Sequence, residues 1–371
     1  MKKPKVIAAG HICLDITPVF PAERTYTGAD ELFVPGKLIR TEPADVHAGG
    51  SVANTGLALK LLGNDVTLMG KIGDDAFGRM IEQVLAGYGA GGLLVDPQSS
   101  TSYSVVLAVP GVDRIFLHNP GANDTFTGRD VPDEALEDAV LFHFGYPPLM
   151  KKMYENRGEE LASLFSRVKS RGIATSLDLA AIDPATEAGQ INWESLLSRV
   201  LPYVDFFVPS FEELVLMLDR KNYDRLVSLG GDMVCHLDMD RDVKPLAWKL
   251  LDMGAKAVLI KCGTAGMYYR TGDMSGTGSR LDLDTRAWSR QEGIQPCFKA
   301  DTVRSATGAG DTSIAAFLTG ILQGKTPKAC AALAAAEGAC AVTSYDALSG
   351  LKSIQDLEAR IASGWKTEKI C

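Results

Sequence analysis

Short apolar runs rich in β-branched and aromatic residues recur at 6–9, 66–69, 139–144, 173–177, 206–208 and 257–260. Their length and their lack of strict alternation predict buried parallel strands. Helical spacing fills the intervals, over 51–62, 76–86, 157–171, 241–253, 312–323 and 327–342. Alternation of this kind predicts an α/β fold around a doubly wound, mostly parallel sheet. Two stretches break it: 16–46, rich in Pro, Thr and Gly, and 101–118, where extended segments flank Pro110-Gly111-Val112-Asp113. The second predicts a β-hairpin, and the two together predict a small β element standing off the main sheet. Residues 271–297 are polar and predict an irregular excursion.

Composition narrows the class. The chain has 371 residues, 46% of them hydrophobic, and a formal net charge of -8. That length accommodates one large α/β unit or two domains, and the acidic balance argues against binding a nucleic-acid backbone. The seven cysteines form no C-x-x-C pair and read as reduced, mostly core residues. No uncharged apolar run reaches the ~20 residues of a membrane span, and no signal-peptide pattern opens the chain, so a cytoplasmic protein with no membrane partner is expected.

Three glycine clusters mimic nucleotide-binding motifs, and context separates them. Gly87-Tyr88-Gly89-Ala90-Gly91-Gly92 satisfies G-x-G-x-x-G but follows a helical segment, whereas a dinucleotide fingerprint follows a strand. The run from Gly320 to Thr326 has one residue too few between Gly320 and Gly324 for a Walker A loop. It also ends an apolar helix, so Gly324 reads as a C-cap.

The third cluster, Thr307-Gly308-Ala309-Gly310-Asp311-Thr312, lies between an extended segment near 298–303 and an apolar helix. Glycines without Cβ let backbone N–H groups crowd around a phosphate, and the helix N-terminus adds about half a positive charge. Gly308, Ala309 and Gly310 are therefore a candidate anion hole with the Asp311 carboxylate on its lip. A carboxylate there repels phosphate unless it has another task, and accepting a proton from an attacking hydroxyl supplies one. The competing reading makes Asp311 a helix cap and the glycines a tight turn; the residues alone leave both open.

A second pair, in His47-Ala48-Gly49-Gly50-Ser51-Val52-Ala53-Asn54, opens the helix 51–62. Gly49 and Gly50 permit close approach of a hydroxylated ligand, and Asn54 offers it a donor and an acceptor. Alternatively Ser51 is an N-cap and Asn54 a surface residue. In Gly73-Asp74-Asp75-Ala76-Phe77-Gly78 the aspartates are candidate caps of the next helix.

The combination resembles the PfkB (ribokinase-like) family of carbohydrate kinases. One family signature resembles the stretch from Gly49 to Gly78, the other the stretch from Thr307 to Gly320, and the likeness covers roughly residues 5–350. The resemblance implies a Rossmann-like (ribokinase-like) α/β domain over residues 1–371, with lid elements at about 16–46 and 101–118. It also implies ATP-dependent, magnesium-dependent phosphorylation of a small sugar. Asp311 is then the base, and Asp15, at the end of the first strand, binds substrate with Gly49, Gly50 and Asn54. Asn123, in a G-A-N turn after the hairpin, borders the same substrate.

Further positions follow from the resemblance. Ser210 and Glu213 fall where the family carries N-x-x-E, whose Glu organises magnesium through water; Ser210 replaces the Asn. Lys261, Gly263 and Gly266 match the strand and turn placed against the nucleotide. Ser305 stands where the family often has an Asp that binds a monovalent cation, and a hydroxyl supplies no charge, so potassium activation is not expected. Lid edge strands invite pairing into a homodimer.

The five histidines show no metal-ligand spacing, and Arg114 is a candidate partner for an acidic substrate. Two other readings stay open. One is a nucleoside kinase of the same fold, with Tyr103, Phe116 or Tyr146 as a clamp for the base. The other is a non-catalytic sugar- and nucleotide-binding regulator, suggested by Ser210 and Ser305.

Overall fold

All six apolar runs form strands of one sheet in the computed structural model, which describes residues 3–21, 34–109 and 115–368. The turn 110–113, Arg114 and residues 22–33 of the first lid stretch lie outside the described residues. In chain order the strands are β1 (Lys5–Gly10), β2 (Cys13–Val19), β3 (Glu42–Gly49), β4 (Asp65–Met69), β5 (Lys71–Gly73), β6 (Leu94–Asp96) and β7 (Tyr103–Leu107). They continue with β8 (Ile115–Asn119), β9 (Ala139–Gly145), β10 (Ala174–Leu177), β11 (Phe206–Phe207), β12 (Ala257–Lys261), β13 (Met267–Thr271) and β14 (Glu292–Gln295).

The main sheet runs β14-β13-β12-β11-β10-β9-β1-β4. Its strands from β12 to β4 are parallel, while β13 and β14 extend it antiparallel. Period two divides each central strand between two cores. Ile7, Phe142, Phe207 and Val258 pack with the helices Lys151–Ser170, Trp193–Val200 and Phe211–Leu218. Val6, Leu141, Phe206 and Leu259 pack with Ala309–Leu322 and Pro327–Ala341. Helices thus cover both faces, which is why these strands read as continuous apolar runs.

The helices at 76–86, 312–323 and 327–342 form within a few residues of expectation, as Ala76–Gly87, Ala309–Leu322 and Pro327–Ala341. Asp75 caps the first by accepting from the Gly78 amide at 2.8 Å. Gly324 closes the second at φ +70°, with the Lys325 amide returning to the Gly320 carbonyl at 3.0 Å. Three expectations need correction. The stretch 271–297 holds a short helix, Thr285–Trp288, and the edge strand β14. An edge strand half open to solvent, with Ile294 46% exposed, carries little apolar signal. Ser51 is not the cap of its helix, which begins at Gly50 with Gly49 as N-cap. Cys235 is disulfide-bonded, whereas Cys13, Cys262, Cys297, Cys330 and Cys340 are free thiols.

The lid is a separate four-stranded sheet, β3-β2-β7-β8. β2 leaves the main sheet two residues after β1, and β3 runs straight into the helix Gly50–Leu61. The roots of the lid therefore sit at the carboxyl end of β1, the end of the strands where open α/β sheets bind ligands.

Candidate active site

Asp311 is the third residue of Ala309–Leu322, a helix buried along most of its length. Its N-cap, Gly308, takes the left-handed conformation at φ +72°, and a Cβ there would collide with Ala347, so the turn admits glycine alone. The Asp311 side chain does not cap its own helix. Oδ1 accepts from Thr55 Oγ1 at 2.8 Å, and Oδ2 accepts from Tyr146 Oη at 2.7 Å and Asn54 Nδ2 at 3.2 Å. The carboxylate is 4% exposed and faces side chains of two other elements.

Of the candidate anion-hole amides, that of Ala309 donates to the Ala306 carbonyl at 3.3 Å. Gly310, second in the helix, has no intrahelical acceptor for its N–H. The Lys261 side chain lies beside it, with Cε 3.7 Å from where a Gly310 Cβ would stand. Lys261 ends β12, and its Nζ donates to Asp178 Oδ1 at 2.8 Å and to the Val208 carbonyl at 2.6 Å. Burial alone pulls this ammonium down, but the Asp178 and Glu213 carboxylates outweigh it and hold it above its ordinary value. Burial pushes Asp178 up, against the pull of Lys261. Val208, Asp178, Tyr146 and Lys261 all lie at carboxyl ends of parallel strands, the rim on which open α/β sheets bind ligands.

Ser210 and Glu213 form a capping box on the helix Phe211–Leu218. The Ser210 amide donates to Glu213 Oε2 at 2.7 Å, and the Glu213 amide donates to Ser210 Oγ at 3.2 Å. This ties the pair to helix formation while leaving Glu213 close enough to act on Lys261, Asp178 and Tyr146. Among the described residues no three carboxylate, histidine or cysteine side chains converge as a metal cage. The donor set therefore fits magnesium only as an ion that keeps its waters and reaches one carboxylate.

On the acceptor side, Asp15 lies within lid strand β2, not at the end of β1 as expected from the sequence. Burial raises its pKa, as does Asp311, against hydrogen bonds from Cys13 and Ser104 and the nearby His47. The space above Gly49 is filled by that Asp15 carboxylate, and the space above Gly50, at φ +81°, by His11. At both positions the missing Cβ lets protein atoms, the Asp15 carboxylate and His11, close up on the backbone. Asn123 is fully buried and spent on backbone: it accepts from the Ile12 amide at 3.1 Å and donates to the carbonyls of Ile12 at 2.9 Å and Pro120 at 3.1 Å. With both amide hydrogens committed, it is a strut under the site. Gly263, at φ +50°, and Gly266, at φ +94°, shape the turn between β12 and β13. Ser305 is folded onto Thr307, donating to Oγ1 at 3.0 Å and accepting from the amide at 3.1 Å.

The structure thus brings Asp311, Asn54, Asp15, Gly310, Lys261 and Glu213 to one end of the sheet. It adds Thr55, Asp178 and His11, which the sequence reading did not assign, and gives Tyr146 a partner that reading did not foresee. The position after each parallel strand was the available signal for Tyr146 and Asp178.

Comparison with known proteins gives the family and the fold. The model of the pfkB family carbohydrate kinases matches residues 13–354. Fructokinase-1 of Oryza sativa subsp. japonica is 25% identical over 327 residues, covering 86% of this chain and 83% of its own. The structure of Arabidopsis thaliana ribokinase complexed with ribose and ATP superposes with a TM-score of 0.70 at 19% identity, over 97% of this chain and 98% of that one. A putative ribokinase II from E. coli in complex with ATP and magnesium gives 0.68 at 20% identity, over 97% and 99%.

Proposed function

Since the chain belongs to the PfkB family of carbohydrate kinases, phosphotransferases with an alcohol group as acceptor, we propose that it moves the γ-phosphoryl group of ATP to a hydroxyl of a small sugar. Asp311 takes the hydroxyl proton late in a loose transition state, and the amides of Gly308 and Gly310 with the helix N-terminus stabilise charge on the transferring group. The Ala309 amide contributes less while it is held by Ala306. Lys261 supplies fixed positive charge beneath that hole, and Glu213 would reach magnesium through water. Magnesium, when bound, neutralises phosphate charge. Asp15 and Asn54 orient the acceptor, and the lid excludes water from it.

One observation carries the reading: the Asp311 carboxylate, in the first turn of its helix, turns away from that helix into a set of side-chain donors. A sugar is favoured over a nucleoside because two of the three aromatics that could clamp a base are already engaged. Tyr146 is bonded to Asp311, and Tyr103 packs edge-on against Phe77 with ring centroids 5.4 Å apart.

Asp311→Asn should keep ATP affinity within about threefold while kcat falls roughly 10²–10⁴-fold. The relatives' names make fructose and ribose the first acceptors to assay by ADP release. Near-normal turnover in the variant removes the base assignment.

A further inference from the structure

We propose that Tyr146 is a positioning residue for the transfer: its phenol closes a three-donor clamp on Asp311 that leaves one lone-pair position, on Oδ1, for the acceptor hydroxyl. This rests on the reading of Asp311 as the base. An ionised carboxylate offers about four acceptor positions, two on each oxygen. Tyr146 and Asn54 occupy those of Oδ2, at 2.7 and 3.2 Å, and Thr55 takes one of Oδ1 at 2.8 Å. The base is then aimed before substrate arrives, and the incoming O–H has a single direction in which to donate.

The backbone around Tyr146 is built to hold that phenol. Tyr146 adopts φ +65°, ψ +39°, a left-handed conformation uncommon for a residue with a side chain. Pro147 and Pro148 follow it in a 3₁₀ turn, closed by the Leu149 amide on the Tyr146 carbonyl at 3.0 Å. The ring packs near that of His11, centroids 6.0 Å apart. Burial, with the Asp311 and Asp178 carboxylates, pushes phenol ionisation well above its ordinary range, so the group is a donor throughout the working pH range. The other charged or titratable groups acting on Asp311 or on the phenol are Lys261, Asp178, Asp15, Cys13 and Glu213. All of them stay in place when only the phenol oxygen is removed.

Tyr146→Phe should lower kcat/KM for the acceptor by roughly 10–100-fold with KM for ATP within about twofold. Loss of a donor to the charged form should also move the acid limb of the kcat/KM profile up by about one pH unit. Thr55→Val, nearly isosteric, removes the Oδ1 donor and should move that limb in the same direction, so the clamp is tested even if Tyr146→Phe folds poorly. An acid limb unmoved in the folded variants overturns the clamp, including the case in which kcat falls, since a purely structural role would do that. Failure of the base reading is distinguishable: Asp311→Asn is then active, whereas an inactive Asp311→Asn beside an unaffected Tyr146→Phe removes the clamp alone.

Discussion

Beside Gly310 the Lys261 ammonium faces Asp178, Glu213 and Asp311. Breaking a buried pair of this kind usually costs about 3–5 kcal/mol, because the abandoned carboxylate stays buried. The same ammonium adds to burial in keeping His143 neutral: its pKa is lowered to about 3. His143 shares a hydrogen bond with Ser176 Oγ at 3.0 Å, and its Nε2 has no partner. The unfolded chain takes up a proton near the ordinary value of 6.5, whereas the folded chain waits until about 3. Stability from this group is therefore present above pH 6.5 and is lost as the pH falls. The loss is up to about 2 kcal/mol by pH 5. Melting temperature should drop more steeply from pH 7 to 5 in the native chain than in His143→Gln; equal slopes would refute the assignment.

At the level of elements, the capping box of Phe211–Leu218 uses the very atoms that the sequence assigned to the nucleotide site. Serine at the cap position satisfies an orphan amide of the first turn, and Glu213 returns to the Ser210 amide. Ser210→Ala should cost about 1 kcal/mol in chemical denaturation. Ser210→Asn should stay close to the native value, because asparagine caps as well as serine. An alanine variant as stable as the native chain would show that the box contributes nothing. The replacement of the family's Asn is in this sense conservative for the helix, whatever it does for phosphate.

Across the whole molecule, the main sheet is packed on two faces, whereas among the described residues the outer lid has a small apolar cluster in which Val109 meets Phe20, Ile39 and Leu107. Strand β8 exposes Phe116 and Leu117. Few buried contacts mean a low free energy of local opening. Amides of β8 and of the outer parts of β2 and β3 should exchange with solvent faster than those of β1, β9 and β10. An acceptor sugar with a non-hydrolysable ATP analogue should slow the lid selectively. Uniform protection of lid and sheet, unchanged by ligands, would contradict lid closure.

The parallel strands, the helices at 76–86, 312–323 and 327–342, the cap at Gly324 and the glycine turn before Asp311 were all legible in the chain, because each is written in local periodicity or backbone freedom. Edge strand β14 was not, since half of it faces water. The partners of Asp311 were out of reach for a different reason: Tyr146 lies 165 positions away and Thr55 256. No local pattern encodes that meeting. It arises because β9 pairs with β1, bringing the loop after one strand against the helix that follows the lid. Sequence alone determined which glycine turn opens a buried helix and which acid stands in its first turn. Only the order of strands in the sheet decided where that acid points and what holds it, because the groups that aim it converge through packing between distant segments.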